Sequence, residues 1–293
     1  MEAAFTWFVS NTWLFDVLIG LMFLVSFGIG VLRGLWKSVF HVGITAILLL
    51  LCYFIFAPML ANWLCDSMMS SLSMPDSVTI DGVLLSFGSL RELIYKLGSL
   101  PTGPDTFSYV SSSNFIFTLC NAFSMMILSI VVFFLSSAIS GILFLPILPL
   151  LSRAKKKKIA AGKKYKKHRL LGGAVSLVAT LLVLMFMLNA SFNVSTIMHD
   201  VVGLAESTGA LQELLNSGAM TQDVWDTVVS VVNFIFVVRD GGIFFSWLGF
   251  DGSFYSFTMV QDGVETSVSL IDGGKLYFKT VLDALSNISS ISF

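Results

Sequence analysis

The chain has 293 residues, of which 56% are hydrophobic and 12% charged, and its mean hydropathy is +0.87. Because a water-soluble domain of this length does not carry so much apolar sequence, the composition excludes an ordinary soluble enzyme and indicates a polytopic membrane protein. The formal net charge of −1 hides an uneven distribution of charge along the chain. Twelve of the 17 Lys and Arg residues lie in two short segments without acidic residues, 33–37 and 153–169.

Four apolar runs are each long enough to cross a bilayer as a helix, at about 20 residues per crossing. They are residues 14–32, 38–57, 115–151 and 170–188. The second run is expected to stop at Pro58, since proline lacks the amide donor that a continuing helix needs. The third run exceeds a perpendicular crossing, and Pro146 and Pro149 are expected to break it near one membrane face. The predicted fold class is therefore a membrane all-α protein with four transmembrane helices.

The basic segment RAKKKKIAAGKKYKKHR, residues 153–169, separates the third and fourth runs. A short basic loop between two spans stays on the cytoplasmic side, so we expect both termini outside, in the cytoplasmic membrane of a bacterium. The surplus charge predicts contact with anionic lipid, at about 1 kcal/mol for each charge near the surface. Nucleic acid is not an expected partner, because the loop is short and bound to the membrane. The predicted lipid-contacting residues are Lys155, Lys156, Lys157, Lys158, Lys163, Lys164, Lys166 and Lys167.

These spans divide the chain into four predicted regions. They are a first transmembrane hairpin (1–58), an outer loop subdomain (59–113), a second transmembrane hairpin with the basic loop (114–188) and an outer C-terminal domain (189–293). In the outer loop, Asp81-Gly82 is a hairpin-turn signal between two β-prone runs, and residues 89–97 form an amphipathic helical pattern. The outer regions are therefore predicted to be small and mixed α/β.

The tail first shows helical patterns at 196–204, 210–215 and 223–238, and then a repeated turn signal. Asp-Gly pairs begin at positions 240, 251, 262 and 272, separated by aromatic and β-branched runs. This spacing predicts a β-meander over 241–279 that folds against the helices. A calcium repeat is the alternative, but it needs clustered oxygen ligands that these segments lack. The aromatic residues Phe254, Tyr255 and Phe257 form either an exposed binding surface or the core of that platform.

Small residues recur on the first helix at Ser26, Gly30 and Gly34, a spacing that lets another helix approach closely. The row serves either packing inside the first hairpin, against the second helix, or contact with a second copy, in which case it is a homo-oligomer interface. Asp16, near the start of the same helix, is either an interfacial carboxylate that the helix dipole stabilises or an ion-responsive group at the mouth of a cavity.

A polar stripe runs along one side of the third helix. It is either polar packing between helices or the wall of a hydrated path or ligand cavity. Its residues are Asn114, Thr118, Asn121, Ser129, Ser136 and Ser140.

The three cysteines and three histidines are scattered, and the sequence contains no CxxC, HExxH or GxSxG motif. No catalytic residue, metal site or cofactor is therefore expected, and the protein is predicted to be non-enzymatic. A disulfide between Cys65 and Cys120 is conceivable if both lie on the outer side, whereas Cys52 falls inside a span.

The opening hairpin resembles that of the bacterial colicin V production (CvpA) family. That family has an Asp near the outer end of the first helix and a Gly-rich stretch that ends in Arg-Gly before the second. The residues at those places are Asp16, Gly30, Arg33 and Gly34. The fourth run is similar to the family's fourth helix at Arg169, Gly172 and Gly173, but His168 stands where the family has Asp. A second Gly-rich element that the family carries in that helix is missing, and the basic loop and long tail are unlike short members.

The resemblance implies a non-enzymatic inner-membrane protein linked to bacteriocin production and envelope homeostasis. Some relatives add an outer protease domain, but the tail here is too short and has no Ser-His-Asp arrangement. Two functions are therefore expected as rivals. One is a membrane scaffold that displays an outer domain to protein partners, and the other is an oligomeric channel or transport component whose path the third-helix stripe lines.

Overall fold

The computed structural model describes residues 11, 13–71, 77–80, 83–99, 107–149, 168–207, 254–261, 264–286 and 288–292, with short pieces in 152–160 and 212–232. Within this part of the chain, four helices are long and apolar enough to cross a membrane. They are α1 (Trp13–Arg33), α2 (Leu35–Ser71), α4 (Tyr109–Phe144) and α5 (Arg169–Ser207), numbered with the shorter α3 described below. The four predicted spans are confirmed, and the chain is a multi-pass membrane protein.

A single residue, Gly34, separates α1 from α2. Its φ of 76° lies in the left-handed region, which glycine adopts without a steric cost from Cβ. The backbone amide of Gly34 still donates to the carbonyl of Gly30 at 2.8 Å, and Ser38 resumes the pattern by donating to the carbonyl of Gly34 at 3.1 Å. The chain therefore passes from one helix to the next without a loop.

The expectation that the second helix stops at Pro58 was wrong. Helix α2 continues to Ser71, with π-helical turns at Cys52–Phe56 and Leu64–Met68 on either side of Ala57–Trp63. A proline cannot donate to the carbonyl four residues earlier, and its ring crowds that carbonyl. The wider π turn immediately before Pro58 changes the bonding pattern at that point, so the helix continues past the proline.

The other two long helices also differ from the predicted bounds. Helix α4 ends at Phe144 in a 3₁₀ turn, Leu145–Ile147, which contains Pro146 and confirms the predicted break. Helix α5 continues without interruption through the polar stretch after residue 188, so the separate helix predicted at 196–204 is part of it. That continuation is possible because polar side chains bond within the helix, as where Asn193 Nδ2 donates to the carbonyl of Asn189 at 2.8 Å.

The chain divides into two compact units. The transmembrane unit contains Asn11–Phe56 and Met125–Leu188, and the C-terminal unit contains Ala57–Ser124 and Asn189–Phe293. Residues 57–124 and the tail therefore form one body.

The C-terminal unit contains two small antiparallel sheets. In the first, strand β1 (Ser77–Ile80) lies between β2 (Val83–Ser86) and β5 (Ile288–Ser292), and Ile80 pairs with Val83 across the two-residue connection. The two predicted β-prone runs therefore pair as antiparallel strands, and the Asp81-Gly82 turn itself lies outside the described residues. The predicted short helix follows as α3 (Leu90–Gly98), where the Ser89 hydroxyl accepts from the amide of Glu92. Strand β5 was not predicted from the sequence.

The second sheet is formed by β3 (Ser256–Gln261) and β4 (Val264–Ser269), which pair antiparallel from Ser256 with Ser269 to Gln261 with Val264. The turn predicted at Asp272-Gly273 was wrong, because both residues lie in helix α6 (Leu270–Ser286). The amide of Asp272 donates to the hydroxyl of Ser269, which in turn donates to the Asp272 carboxylate, so Ser269 caps the start of this helix with Asp272 as its partner. The first three Asp-Gly pairs of the tail lie outside the described residues.

An aromatic cluster forms the core of the C-terminal unit. The rings of Phe115 and Tyr277 lie 4.7 Å apart, and Phe257 packs on Phe107 and Phe115 at 6.2 and 5.6 Å. All four side chains are buried, and so is Tyr255. The interpretation of Tyr255 and Phe257 as an exposed binding surface was therefore wrong, since both belong to the core. In a second cluster, Trp225 packs against α5 and α6. Trp225 belongs to segment 212–232, of which the structure describes short pieces.

Candidate functional site

A partly open cavity of about 270 Å³, mostly apolar but with several polar lining residues, lies in the transmembrane unit. Each of the four transmembrane helices contributes to its wall. The apolar part of the lining is aliphatic and aromatic, as expected for helices in a bilayer. The polar lining residues are Ser26 and Arg33 of α1, His41 and Thr45 of α2, Ser136 and Ser137 of α4, and Ser176 and Thr180 of α5.

Arg33 ends α1 and points its guanidinium to α4. Its Nη2 donates to the hydroxyl oxygen of Ser137 at 2.5 Å and, at 3.4 Å, to the carbonyl of the same residue. A cation placed at the end of a transmembrane helix usually extends its side chain to the headgroups. Here the side chain is held by α4 instead, so Arg33 is part of the cavity wall.

His41 lies two turns into α2 and is buried. Its Nδ1 lies 3.1 Å from the hydroxyl oxygen of Ser140 on α4, and Thr45 donates its hydroxyl to the backbone carbonyl of His41 at 2.9 Å. The first contact holds the imidazole ring and the second holds the backbone, so His41 is fixed in orientation toward α4.

The charge in this cavity is of one sign. None of its fourteen lining residues is Asp or Glu, whereas Arg33 and the titratable His41 both belong to it. Among the described residues, no carboxylate lies within ion-pair distance of Arg33, and its hydrogen bonds go to the neutral Ser137. A guanidinium without a counter-ion in surroundings of low dielectric constant produces a positive potential that attracts anions.

The small residues of α1 bring this helix against α5. The hydroxyl of Ser26 donates to the backbone carbonyl of Ser176 at 3.0 Å. A Cβ atom added to Gly30 would clash with the carbonyl oxygen of Gly172 and lie 2.5 Å from Cβ of Ser176. The predicted row of small residues therefore packs within this chain, with the fourth transmembrane helix as its partner.

The structure divides the predicted third-helix stripe between the two units. Ser136 lines the cavity and Ser140 holds His41, whereas the hydroxyl of Ser129 donates to the carbonyl of Met125. The other three belong to the C-terminal unit, where Asn114 Nδ2 donates to the carbonyl of Thr258 at 2.9 Å. The remaining two are Thr118, whose hydroxyl donates to the carbonyl of Asn114, and Asn121, which is half-buried.

Two other predicted groups do not contribute to the cavity. Asp16 is half-buried near the start of α1 and does not line it. Of the eight predicted lipid-contacting lysines, Lys156 is described and exposed, and the other seven lie outside the described residues.

The charged part of this site was not predicted from the sequence, although a signal was present. His41 and Thr45 are polar residues four apart in an otherwise apolar run, and so are Ser176 and Thr180. Residues at that spacing share one helix face, so each pair predicts a polar patch facing another helix. Arg33 was interpreted only as a topology signal, because its partner Ser137 is more than a hundred residues away in the sequence.

Comparison with known proteins finds no protein that is significantly similar to this chain. No protein-family model matches it, and neither a curated protein nor a solved structure is significantly similar to it. The resemblance to the colicin V production family therefore stays a prediction from the residues that carry it.

Proposed function

We propose that this protein is a transport or channel component that binds a small anion in the cavity of its transmembrane unit. The observation that carries the proposal is the guanidinium of Arg33, held by Ser137 in a cavity to which all four transmembrane helices contribute. Charged groups in transmembrane segments are costly to bury, and those that face a polar cavity usually serve an ion or solute pathway.

The hydroxyl groups around Arg33 suit an anion as ligand. Serine and threonine hydroxyls can each donate one hydrogen bond, and an arginine can donate several from a planar fork. The volume of about 270 Å³ has room for several waters or one small polyatomic anion. Cations are disfavoured, because the lining has no carboxylate to neutralise them.

Flux through proteoliposomes of neutral lipid tests the proposal, with chloride, nitrate and phosphate as probes. We expect the full chain to pass at least one of these anions faster than protein-free vesicles, and Arg33→Gln to lose that flux. Arg169→Gln is the matched control, because Arg169 is an exposed arginine at the start of α5 that does not line the cavity. Anion flux equal in the wild type and Arg33→Gln, or flux of potassium alone, would contradict the proposal.

A scaffold of the cell envelope is the second candidate, and the C-terminal unit favours it. Its helices α5 and α6 enclose an open groove of about 520 Å³ with both basic and acidic walls. Lys275 Nζ lies 3.6 Å from Asp200 Oδ2 across this groove, and Lys279 is one turn further along α6. Such a surface suits a protein segment of mixed charge as partner.

Photo-crosslinking in cells tests this second candidate. A photoreactive residue at Gly203 in the groove should give a discrete adduct with another protein. The control position is Leu84 of β2, which is 66% exposed and outside the groove. No adduct at Gly203, or the same adducts from both positions, would contradict a partner in the groove.

A further inference from the structure

A chain of hydrogen bonds on α4 connects the two basic side chains of the cavity. Nδ1 of His41 lies 3.1 Å from the hydroxyl oxygen of Ser140, and this hydroxyl donates to the backbone carbonyl of Ser137 at 3.1 Å. Ser137 also accepts from the guanidinium of Arg33, both on its carbonyl and on its hydroxyl oxygen. His41 and Arg33 are therefore held by residues that are three positions apart on one helix.

The direction of these bonds fixes which nitrogen of the imidazole ring carries its hydrogen. A serine hydroxyl has one proton to donate, and a carbonyl oxygen can only accept. Because Ser140 donates its proton to the carbonyl of Ser137, its oxygen accepts the bond from His41. Nδ1 therefore carries the hydrogen of the neutral ring, and Nε2 has the lone pair that can take up a proton.

Among the described residues that line the cavity, His41 is the one whose charge changes near neutral pH. Arg33 of α1 keeps its charge throughout. The lining side chains of α4 and α5 are serine, threonine and apolar residues, so neither helix adds a titratable group to the lining. On α2 itself, Lys37 lies one turn before His41, but its Nζ lies 5.3 Å from the ring centroid of Phe144 and it does not line the cavity.

We propose, on the basis of the anion binding proposed above, that the cavity takes up one proton together with its anion and that Nε2 of His41 binds this proton. A proton on Nε2 gives the cavity a second positive charge beside Arg33, and like charges in surroundings of low dielectric constant repel each other strongly. An anion in the cavity offsets this repulsion and gains a charged hydrogen-bond donor. Anion and proton therefore bind cooperatively, and each raises the affinity for the other by the same factor.

The coupling step is a reversible proton transfer. A hydronium ion on the side from which the anion enters gives its proton to the lone pair of Nε2, and water remains. When the anion leaves, the new N–H bond breaks and the proton passes to water on that side. A monovalent anion and a proton together carry no net charge, so a gradient of either one can drive the other across the membrane.

Proton movement in proteoliposomes tests the proposal. Vesicles of neutral lipid contain the full chain and a trapped pH-sensitive dye, with equal potassium on both sides and valinomycin to hold the membrane potential at zero. An inward gradient of chloride or nitrate is then applied at equal pH. We expect anion uptake to acidify the lumen in the wild type. Phosphate is left out of this measurement, because it would itself exchange protons inside the vesicle.

Two variants separate His41 from general effects of losing a histidine. His41→Gln should lose the acidification, whereas His168→Gln should keep it, because His168 is exposed and does not line the cavity. Anion flux without acidification in the wild type, or acidification that persists in His41→Gln, would overturn proton coupling and leave the anion function standing. No flux of chloride, nitrate or phosphate would overturn both.

Nitrate binding in detergent gives a second measurement that needs no transport. Between about pH 6 and pH 8, the nitrate affinity of the wild type should fall by at least about tenfold, because nitrate binds together with a proton. Calorimetry in buffers of different ionisation enthalpy should show proton uptake as nitrate binds. Equal nitrate affinity at the two pH values, measured on the wild type, would overturn the proposal even if His41→Gln fails to fold.

Nitrogen-15 NMR of chain labelled at its histidines tests the assignment of Nε2. At about pH 8 the His41 ring should show a protonated Nδ1 and an unprotonated Nε2, and the resonances that disappear in His41→Gln identify this ring. Addition of nitrate at about pH 6 should increase the protonated fraction of Nε2. The opposite tautomer, or a protonated fraction that nitrate leaves unchanged, would overturn the proposal.

Discussion

The phenolic hydroxyl of Tyr277 donates a hydrogen bond to the backbone carbonyl of Ile94 at 2.7 Å. Tyr277 lies on α6 in the tail, and Ile94 lies on α3, in the segment between the second and third transmembrane helices. This bond therefore joins two parts of the C-terminal unit that are far apart in the sequence. The ring of Tyr277 also fills the aromatic core, so one side chain supplies both packing and a specific polar contact.

Tyr277→Phe removes this hydroxyl and keeps the ring. We expect the free energy of unfolding to fall by about 1–3 kcal/mol, because the carbonyl of Ile94 loses its bond to the Tyr277 hydroxyl inside the protein. Chemical unfolding followed by near-ultraviolet circular dichroism measures this loss. Tyr109→Phe is the control, since Tyr109 is 44% exposed. Equal losses in the two variants would show that the bond to Ile94 contributes nothing specific.

Alkaline pH should destabilise the C-terminal unit through the same residue. Burial, with a smaller contribution from Tyr95, raises the pKa of Tyr277 above the usual value of about 10. The unfolded chain therefore releases the phenolic proton from about pH 10 upward, while the folded chain keeps it, so stability decreases as pH rises above that value. Unfolding midpoints at pH 8 to 11 should converge for the wild type and Tyr277→Phe. A constant difference between them would contradict this expectation.

Gly30→Leu should disrupt the transmembrane unit. Any side chain at this position meets the backbone of α5 at Gly172 and Gly173, so the two helices must separate. Overpacking of this kind costs about 1–3 kcal/mol, and more where backbone atoms must move. Gly28→Leu is the matched control on the same helix, because a Cβ added to Gly28 has no neighbour within 4 Å. In detergent, the midpoint of thermal unfolding should be lower for Gly30→Leu than for the wild type, and unchanged for Gly28→Leu. Identical unfolding curves for the two variants would contradict a close contact at Gly30.

Gly273→Ala should destabilise the C-terminal unit, although alanine has the higher helix propensity. A methyl group at this position would clash with the ring of Phe257, which the aromatic core prevents from moving away. Gly203→Ala on α5 is the control, because Gly203 is exposed and a Cβ there meets nothing within 4 Å. This control should gain up to about 1 kcal/mol. Stabilisation in both variants would show that Phe257 leaves room for the methyl group.

The orientation of the chain is open to a direct measurement. In sealed cells, a membrane-impermeant maleimide should label Val264→Cys, at a position 61% exposed on β4, without permeabilisation. It should label Lys163→Cys in the basic loop only after permeabilisation. The native cysteines at 52, 65 and 120 are buried and give little background. The reverse pattern of labelling would overturn the predicted topology.

Features that depend on neighbouring residues could be predicted from the sequence. The four spans follow from apolar runs, and the pairing of β1 with β2 follows from the Asp-Gly turn signal between two β-prone runs. The short helix at 89–97 could be predicted because its apolar and polar residues alternate with a helical period. In each case the stabilising partners lie within a few residues, so the pattern is complete in one short window.

Features that depend on distant residues could not be predicted in this way. Arg33 and Ser137 belong to different hairpins, and no local pattern selects that pair among many serines. The dipeptide Asp272-Gly273 has the composition of a turn, but Ser269 uses the Asp as a capping partner and Phe257 requires the Gly. Both residues therefore lie in a helix and not in a turn, because tertiary packing overrides local preference.

The place of β5 in the first sheet has a consequence for biogenesis. Strand β1 is the central strand of this sheet, and its Ser77 pairs with Ser292. Ser292 lies far along the sequence, so the ribosome adds it long after Ser77. At the usual rate of synthesis, about 10 to 40 s separate the two strands on the ribosome. During that interval one edge of β1 has unpaired amides and carbonyls, which other chains can bind. Nascent chains stalled within the tail should therefore be the species most prone to aggregation and most dependent on chaperones.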